Sequence, residues 1–135
     1  MIHIRFSDNN YGGEIDLSGT PGDLRSIRQS IIKLLQAQDV QVCIPANEVK
    51  PAPYDSCLNS LVIRKSDCSV KVMVAGSSLK IEGTPEKLKV FADWFNFGDS
   101  TESGYHNHFD YYEGNEWVDP ASVSLIISCK YRGTK

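Results

Sequence analysis

Short apolar runs that alternate with polar residues dominate this chain, and only two stretches break into helical spacing. Ile2 to Phe6 and Glu14 to Leu17 alternate as strands on either side of Asn9-Asn10-Tyr11-Gly12-Gly13, which is turn chemistry and predicts a hairpin. Leu24, Ile27, Ile31, Leu34 and Leu35 then mark one face of a helix. Val40 to Ile44 and Asn59 to Lys65 return to strand patterning, separated by a loop containing Pro45, Pro51 and Pro53. A second hairpin follows, Val70 to Ala75 and Ser78 to Glu82 around Gly76. Leu88, Phe91, Ala92 and Phe95 mark a second helix, and Tyr105 to Tyr112 and Val123 to Tyr131 complete the strands.

The two halves run in register. Ile15-Asp16-Leu17-Ser18-Gly19-Thr20-Pro21 lies on Leu79-Lys80-Ile81-Glu82-Gly83-Thr84-Pro85 at an offset of 64 residues. The same offset carries Ser60-Leu61-Val62-Ile63 onto Ser124-Leu125-Ile126-Ile127. Two separated matches at one spacing point to an internal repeat, with halves of about 1–66 and 67–135 inside a single domain, 1–135. Thr20 and Thr84 are placed to cap the first free amides of each helix, and Pro21 and Pro85 follow where no donor is needed. The fold class is α+β: duplicated strand-strand-helix-strand-strand halves, mainly antiparallel sheet, with two helices on one face. A phosphate-cradling loop is a poor reading of Gly-Thr-Pro, because neither copy has the repeated glycines or the lysine such a loop uses.

Composition changes this picture little. The 41% hydrophobic and 23% charged residues are ordinary for a globular chain, and no apolar run approaches the ~20 residues of a membrane span. The first residues alternate like a strand and lack a secretory leader's apolar block, so the chain reads as cytoplasmic. Cys43, Cys57, Cys68 and Cys129 have no zinc-like spacing and read as small buried hydrophobes.

Charge distribution is more telling than the net −3. Between Lys89 and Lys130 there is no lysine or arginine, but there are seven acids and nine of the thirteen aromatics, including Trp94 and Trp117. Carboxylates interleaved with large rings suit a surface that meets a basic protein, with rings as anchors and acids as steering charges. They do not suit phosphates, so nucleic acid is not an expected partner. The strongest candidates for contact are Asp110, Tyr111, Tyr112, Glu113, Glu116 and Trp117.

A different chemistry is available to the same segment. If Tyr105 to Tyr112 is one strand, His106, His108, Asp110 and Tyr112 share a face, and two imidazoles with a carboxylate can chelate a metal. A metal or small-ligand module is therefore the alternative function. The bland alternative is a polar network. The repeat puts His106 and His108 where Val42 and Ile44 stand, which would bury them partly, with Asp110 as acceptor. Acid–base catalysis has enough titratable groups here but no evident cleft, and the reading is of a chain that is not an enzyme and needs no cofactor.

His106-x-His108-x-Asp110-Tyr111-Tyr112-x-Gly114, followed by Asp119-Pro120-x-Ser122-x-x-Leu125-Ile126-Ile127 and preceded by Gly83-Thr84-Pro85-x-x-Leu88, resembles the Immunity protein 32 family of bacterial polymorphic-toxin systems. The resemblance covers roughly residues 69 to 130. It implies a small cytoplasmic protein that binds and blocks a cognate toxin without catalysis of its own. A basic toxin would complement the acidic, aromatic segment.

Overall fold

The computed structural model describes residues 1–8 and 13–131. The predicted turn residues Asn9, Asn10, Tyr11 and Gly12 lie outside the described residues. Among those described, nine strands and two helices form: β1 (His3–Ser7), β2 (Glu14–Gly19), α1 (Pro21–Gln36), β3 (Gln41–Pro45), β4 (Ser56–Leu58), β5 (Ser60–Lys65), β6 (Lys71–Ala75), β7 (Ser78–Gly83), α2 (Pro85–Ala92), β8 (His106–Phe109) and β9 (Ser124–Cys129). A single 3-10 turn, Asp93–Phe95, extends α2. The α+β class stands, but the strands divide into two sheets, β4-β1-β2-β9-β8 and β3-β5-β7-β6. Most neighbours are antiparallel; β2 with β9 and β5 with β7 are parallel.

Each sheet draws on both halves of the sequence. The first hairpin, β1-β2, is completed by β9 and β8; the second, β6-β7, is completed by β5 and β3. The pairing itself keeps the 64-residue offset. Glu14 lies opposite Ser124, as Ser78 lies opposite Ser60, and Leu17 lies opposite Ile127, as Ile81 lies opposite Ile63. A cut near residue 66 would therefore leave two half-sheets without partners.

Local chemistry explains where the helices start. Thr20 and Thr84 sit in extended conformation and their hydroxyls accept from the amides of Asp23 and Lys87, at 3.1 and 3.2 Å. In α1 the Asp23 carboxylate returns a bond from the Thr20 amide, which completes a capping box. The helical stripes read from the sequence are the buried ones: Leu24, Ile27, Ile31 and Leu34 in α1, and Leu88, Phe91 and Ala92 in α2, with Phe95 on the following turn. Leu35 packs at the margin. The helices pack against each other and share one core with alternate residues of both sheets, including Ile4, Ile15, Leu17, Leu61, Ile63, Leu79, Ile81, Leu125 and Ile127.

Two expectations fail here for identifiable reasons. Cys43 is exposed and Cys57 and Cys68 are only half-buried, so Cys129 alone is a buried hydrophobe; β3 lies at a sheet edge and turns Cys43 outward. Strand β8 ends at Phe109, and it is slipped by one residue relative to its counterpart. Val42 lies opposite Ile63, so the offset would put His106 opposite Ile127, but Asn107 stands there, and Phe109 faces Leu125. A one-residue slip exchanges the faces of a strand. Phe109 is thereby buried, while His106 and His108 are exposed and take no core position.

Candidate functional site

The chain between β8 and β9 does not hang free. It crosses to the other sheet and runs along β6, whose outer edge would otherwise be unpaired. The Val70 amide donates to the Trp117 carbonyl at 3.0 Å, and the Asp119 amide donates to the Val70 carbonyl at 2.8 Å. Farther on, the Val72 amide donates to the Ser122 hydroxyl at 3.0 Å and the Val123 amide to the Val72 carbonyl at 2.9 Å. Side chains hold the bends between these ties. Asn115 accepts from the Trp117 amide at 3.0 Å and Asp119 from the Ala121 amide at 2.8 Å. Gly114 takes a φ of 88°, a left-handed conformation that residues with a Cβ rarely adopt.

Lys87, on the first turn of α2, fastens the same segment from the other side. Its ammonium donates to the Glu116 carbonyl at 2.9 Å and the Ser69 hydroxyl at 3.0 Å, and lies 5.9 Å from the centre of the Trp117 ring. Ser69 itself donates to the Glu116 carbonyl at 2.8 Å. These anchors fix the course of the loop backbone between Asn115 and Val123.

Between the loop and α2 lies a hollow of about 410 Å³. Its inner side is aromatic. Phe91 and Phe109 meet edge to face at 4.8 Å, and Trp94 meets Phe109 in the same way at 5.6 Å. Trp117 and Val118 of the loop, Val70 beside β6 and Val90 of α2 add to the apolar lining, and Asp110, Tyr112, Asn115, Lys87 and His108 supply its polar part. Much of this apolar surface meets water: Val90 is 47% exposed, Trp117 42% and Tyr112 68%.

Of the six residues read as contact candidates, Asp110, Tyr112 and Trp117 line the hollow. Tyr111, Glu113 and Glu116 are exposed on the same loop but outside it. Asp110 also accepts a hydrogen bond from the Ser124 hydroxyl at the start of β9. Lys87 and Val90 were not legible as site residues, because they precede Trp117 by 30 and 27 positions and only the fold brings them together. The one available signal was Val90, an apolar residue off the buried stripe of α2.

The base-free stretch of sequence is not base-free in space. Arg25 and Arg28 of α1 pair with Asp99 at 2.6 Å and Asp93 at 3.1 Å, so two of the seven acids are neutralised within the fold. Asp110, Glu113 and Glu116 make no ion pair among the described residues. The negative charge near the hollow is thus concentrated on its loop.

The predicted chelating face does not form. Because β8 stops at Phe109, Asp110 and Tyr112 leave the strand, and Asp110 turns to Ser124 instead of the histidines. His106 and His108 stack edge to face at 4.9 Å, and His106 Nδ1 contacts the Gly104 carbonyl at 3.1 Å. No group of three His, Cys, Asp or Glu among the described residues is arranged to hold a metal ion. No helix among them is long and apolar enough to cross a membrane.

One comparison speaks to the same segment. Residues 78–130 match the family model of Immunity protein 32. The match supports the family resemblance carried by the His106 to Gly114 run and its flanks, and it extends from β7 to the end of β9. Every residue that lines the hollow falls inside it except Val70. No curated protein and no solved structure matches the chain.

Proposed function

We propose that this protein is a non-catalytic immunity protein of a bacterial polymorphic-toxin system, acting in the cytoplasm. It binds and neutralises a cognate toxin through the surface carrying Asp110, Tyr111, Tyr112, Glu113, Glu116 and Trp117. The observation that carries the reading is the family-matched segment itself. That segment holds exposed aromatic rings, and three carboxylates with no ion pair among the described residues, on a loop tied down at several points. Rigid rings contribute contact area at small entropic cost, and unpaired acids speed the approach of a basic partner. The partner on this account is a basic toxin surface, not a nucleic acid or a membrane.

A tagged pull-down at low salt, read by mass spectrometry, tests this with Glu113→Gln/Glu116→Gln and Tyr112→Ala/Trp117→Ala variants beside the wild type. One basic protein captured by the wild type and depleted by both variants supports the reading. Equal capture by all three contradicts the choice of surface, and the absence of any partner while the toxin is expressed contradicts the function.

A further inference from the structure

The repeat supplies an internal control for the hollow beside α2. A second hollow, of about 350 Å³, lies beside α1 and is lined by Asp23, Ser26, Ile27, Ser30, Ile44 and Pro45, with Met1 and Ile2. The four α1 positions map at the offset of 64 onto Lys87, Val90, Phe91 and Trp94, all of which line the first hollow. Ile44 lies opposite Leu61 as Phe109 lies opposite Leu125, so the strand contribution corresponds as well. Ile2 and Val70 also correspond, since each packs against the glycine that ends the adjacent strand, Gly19 and Gly83. The same scaffold therefore builds the same depression twice. The inner position is apolar in both copies, Ile27 and Phe91, as folding requires. The outer positions differ: Ser26 and Ser30 in one, Val90 and Trp94 in the other. Val90 is 47% exposed and its counterpart is serine, so folding does not account for an apolar residue there; Trp94 is half-buried, packs edge to face on Phe109 and lines the hollow as well.

On this basis we infer that the hollow beside α2 receives one large apolar side chain of the partner, borne on a segment with basic residues on both sides. The inference rests on the immunity reading and adds the chemistry of the contact. The apolar side chain fits the walls formed by Val90, Trp94, Phe109 and Trp117. The flanking cations fit Asp110, an exposed residue of the lining, and Glu113 and Glu116 on the adjoining loop, none of which has an ion-pair partner among the described residues. Lys87 also lines the hollow and keeps its positive charge, since its ammonium donates only to the Glu116 carbonyl and the Ser69 hydroxyl, but the three carboxylates outnumber it. Charge guides the segment in; the apolar anchor holds it.

The probe is a capped pentapeptide, phenylalanine between two pairs of lysines, with serine-centred and glutamate-flanked versions as controls. Binding is followed by the indole N–H signals of Trp94 and Trp117 in the nuclear magnetic resonance spectrum of the full chain. The expected result is saturable movement of both signals with the phenylalanine peptide, about ten- to hundredfold weaker binding with serine at the centre, and none with the acidic flanks. Val90→Ser, at an exposed position where the other copy carries serine, is expected to weaken the phenylalanine peptide and leave the serine peptide unchanged. Equal binding of the phenylalanine and serine peptides, or no movement of either indole signal, overturns the inference. Neither outcome bears on toxin capture by the pull-down, which decides the immunity reading separately.

Discussion

Replacing Lys87 by methionine removes the ammonium that ties the α2 turn to the loop while keeping most of the aliphatic stem. Two charge-assisted hydrogen bonds disappear, to the Glu116 carbonyl and to Ser69, together with the contact on the Trp117 ring. Bonds to charged groups contribute about 1.5–3 kcal/mol each where water is excluded. Lys87 is half-buried, water can replace part of what is lost, and Ser69 still donates to the same carbonyl. A net loss of about 1.5 kcal/mol follows, or roughly 5 °C in Tm for a chain of this size. The assay is urea unfolding of Lys87→Met beside Lys89→Met, an exposed neighbour for which the change is expected within about 0.5 kcal/mol. Hydrogen exchange should show the Val70 and Asp119 amides losing protection before those of β2 and β9. If Lys87→Met unfolds with the wild type and leaves these amides protected, Lys87 is not an anchor and the loop is held by its backbone ties alone.

The caps supply further tests. Thr84→Ala is expected to cost about 1 kcal/mol, and Thr20→Ala somewhat more because it also disrupts a capping box, both measured by chemical denaturation. Phe91→Ala opens a cavity where Phe95 and Phe109 meet it edge to face, so about 3–5 kcal/mol should be lost along with the shape of the hollow. Burial of the Asp23 carboxyl opposes its ionisation, but the Thr20 amide, the amino terminus and the Thr20 hydroxyl outweigh it and hold its pKa below the ordinary 3.8. A depressed native pKa gives stability that is complete above the unfolded value and lost as pH falls through the folded one. Asp23→Asn should therefore be less stable than the wild type near neutrality, with the difference shrinking below about pH 4 in a pH series of unfolding midpoints.

Much of the architecture was legible because its causes are local. Threonine caps, prolines at the first helical position and apolar residues at helical spacing placed both helices. Alternation placed most strands to within a residue or two. Strand β4 has no signature in the sequence, because three residues carry no periodicity; Ser56–Leu58 is a strand only because β1 is there to pair with it. The division into two sheets was invisible for a related reason, since no local pattern says that a hairpin from one half will be completed by strands from the other. The slip of β8 had no signal either. An ungapped repeat assumes equal register, and the faces of Phe109, His106 and His108 depend on that one residue. The candidate surface was legible as a composition of rings and acids; its hollow was not, because Lys87, Val90 and Val70 come from elements distant in sequence.

Cell survival is the most direct test of the immunity function. The captured toxin would be expressed with the wild-type chain, with Glu113→Gln/Glu116→Gln, and with Tyr112→Ala/Trp117→Ala, each variant first shown to be folded. Full protection by the wild type and its loss with both variants is the predicted result. Undiminished protection by either folded variant would contradict the assignment of this acidic, aromatic surface to toxin neutralisation.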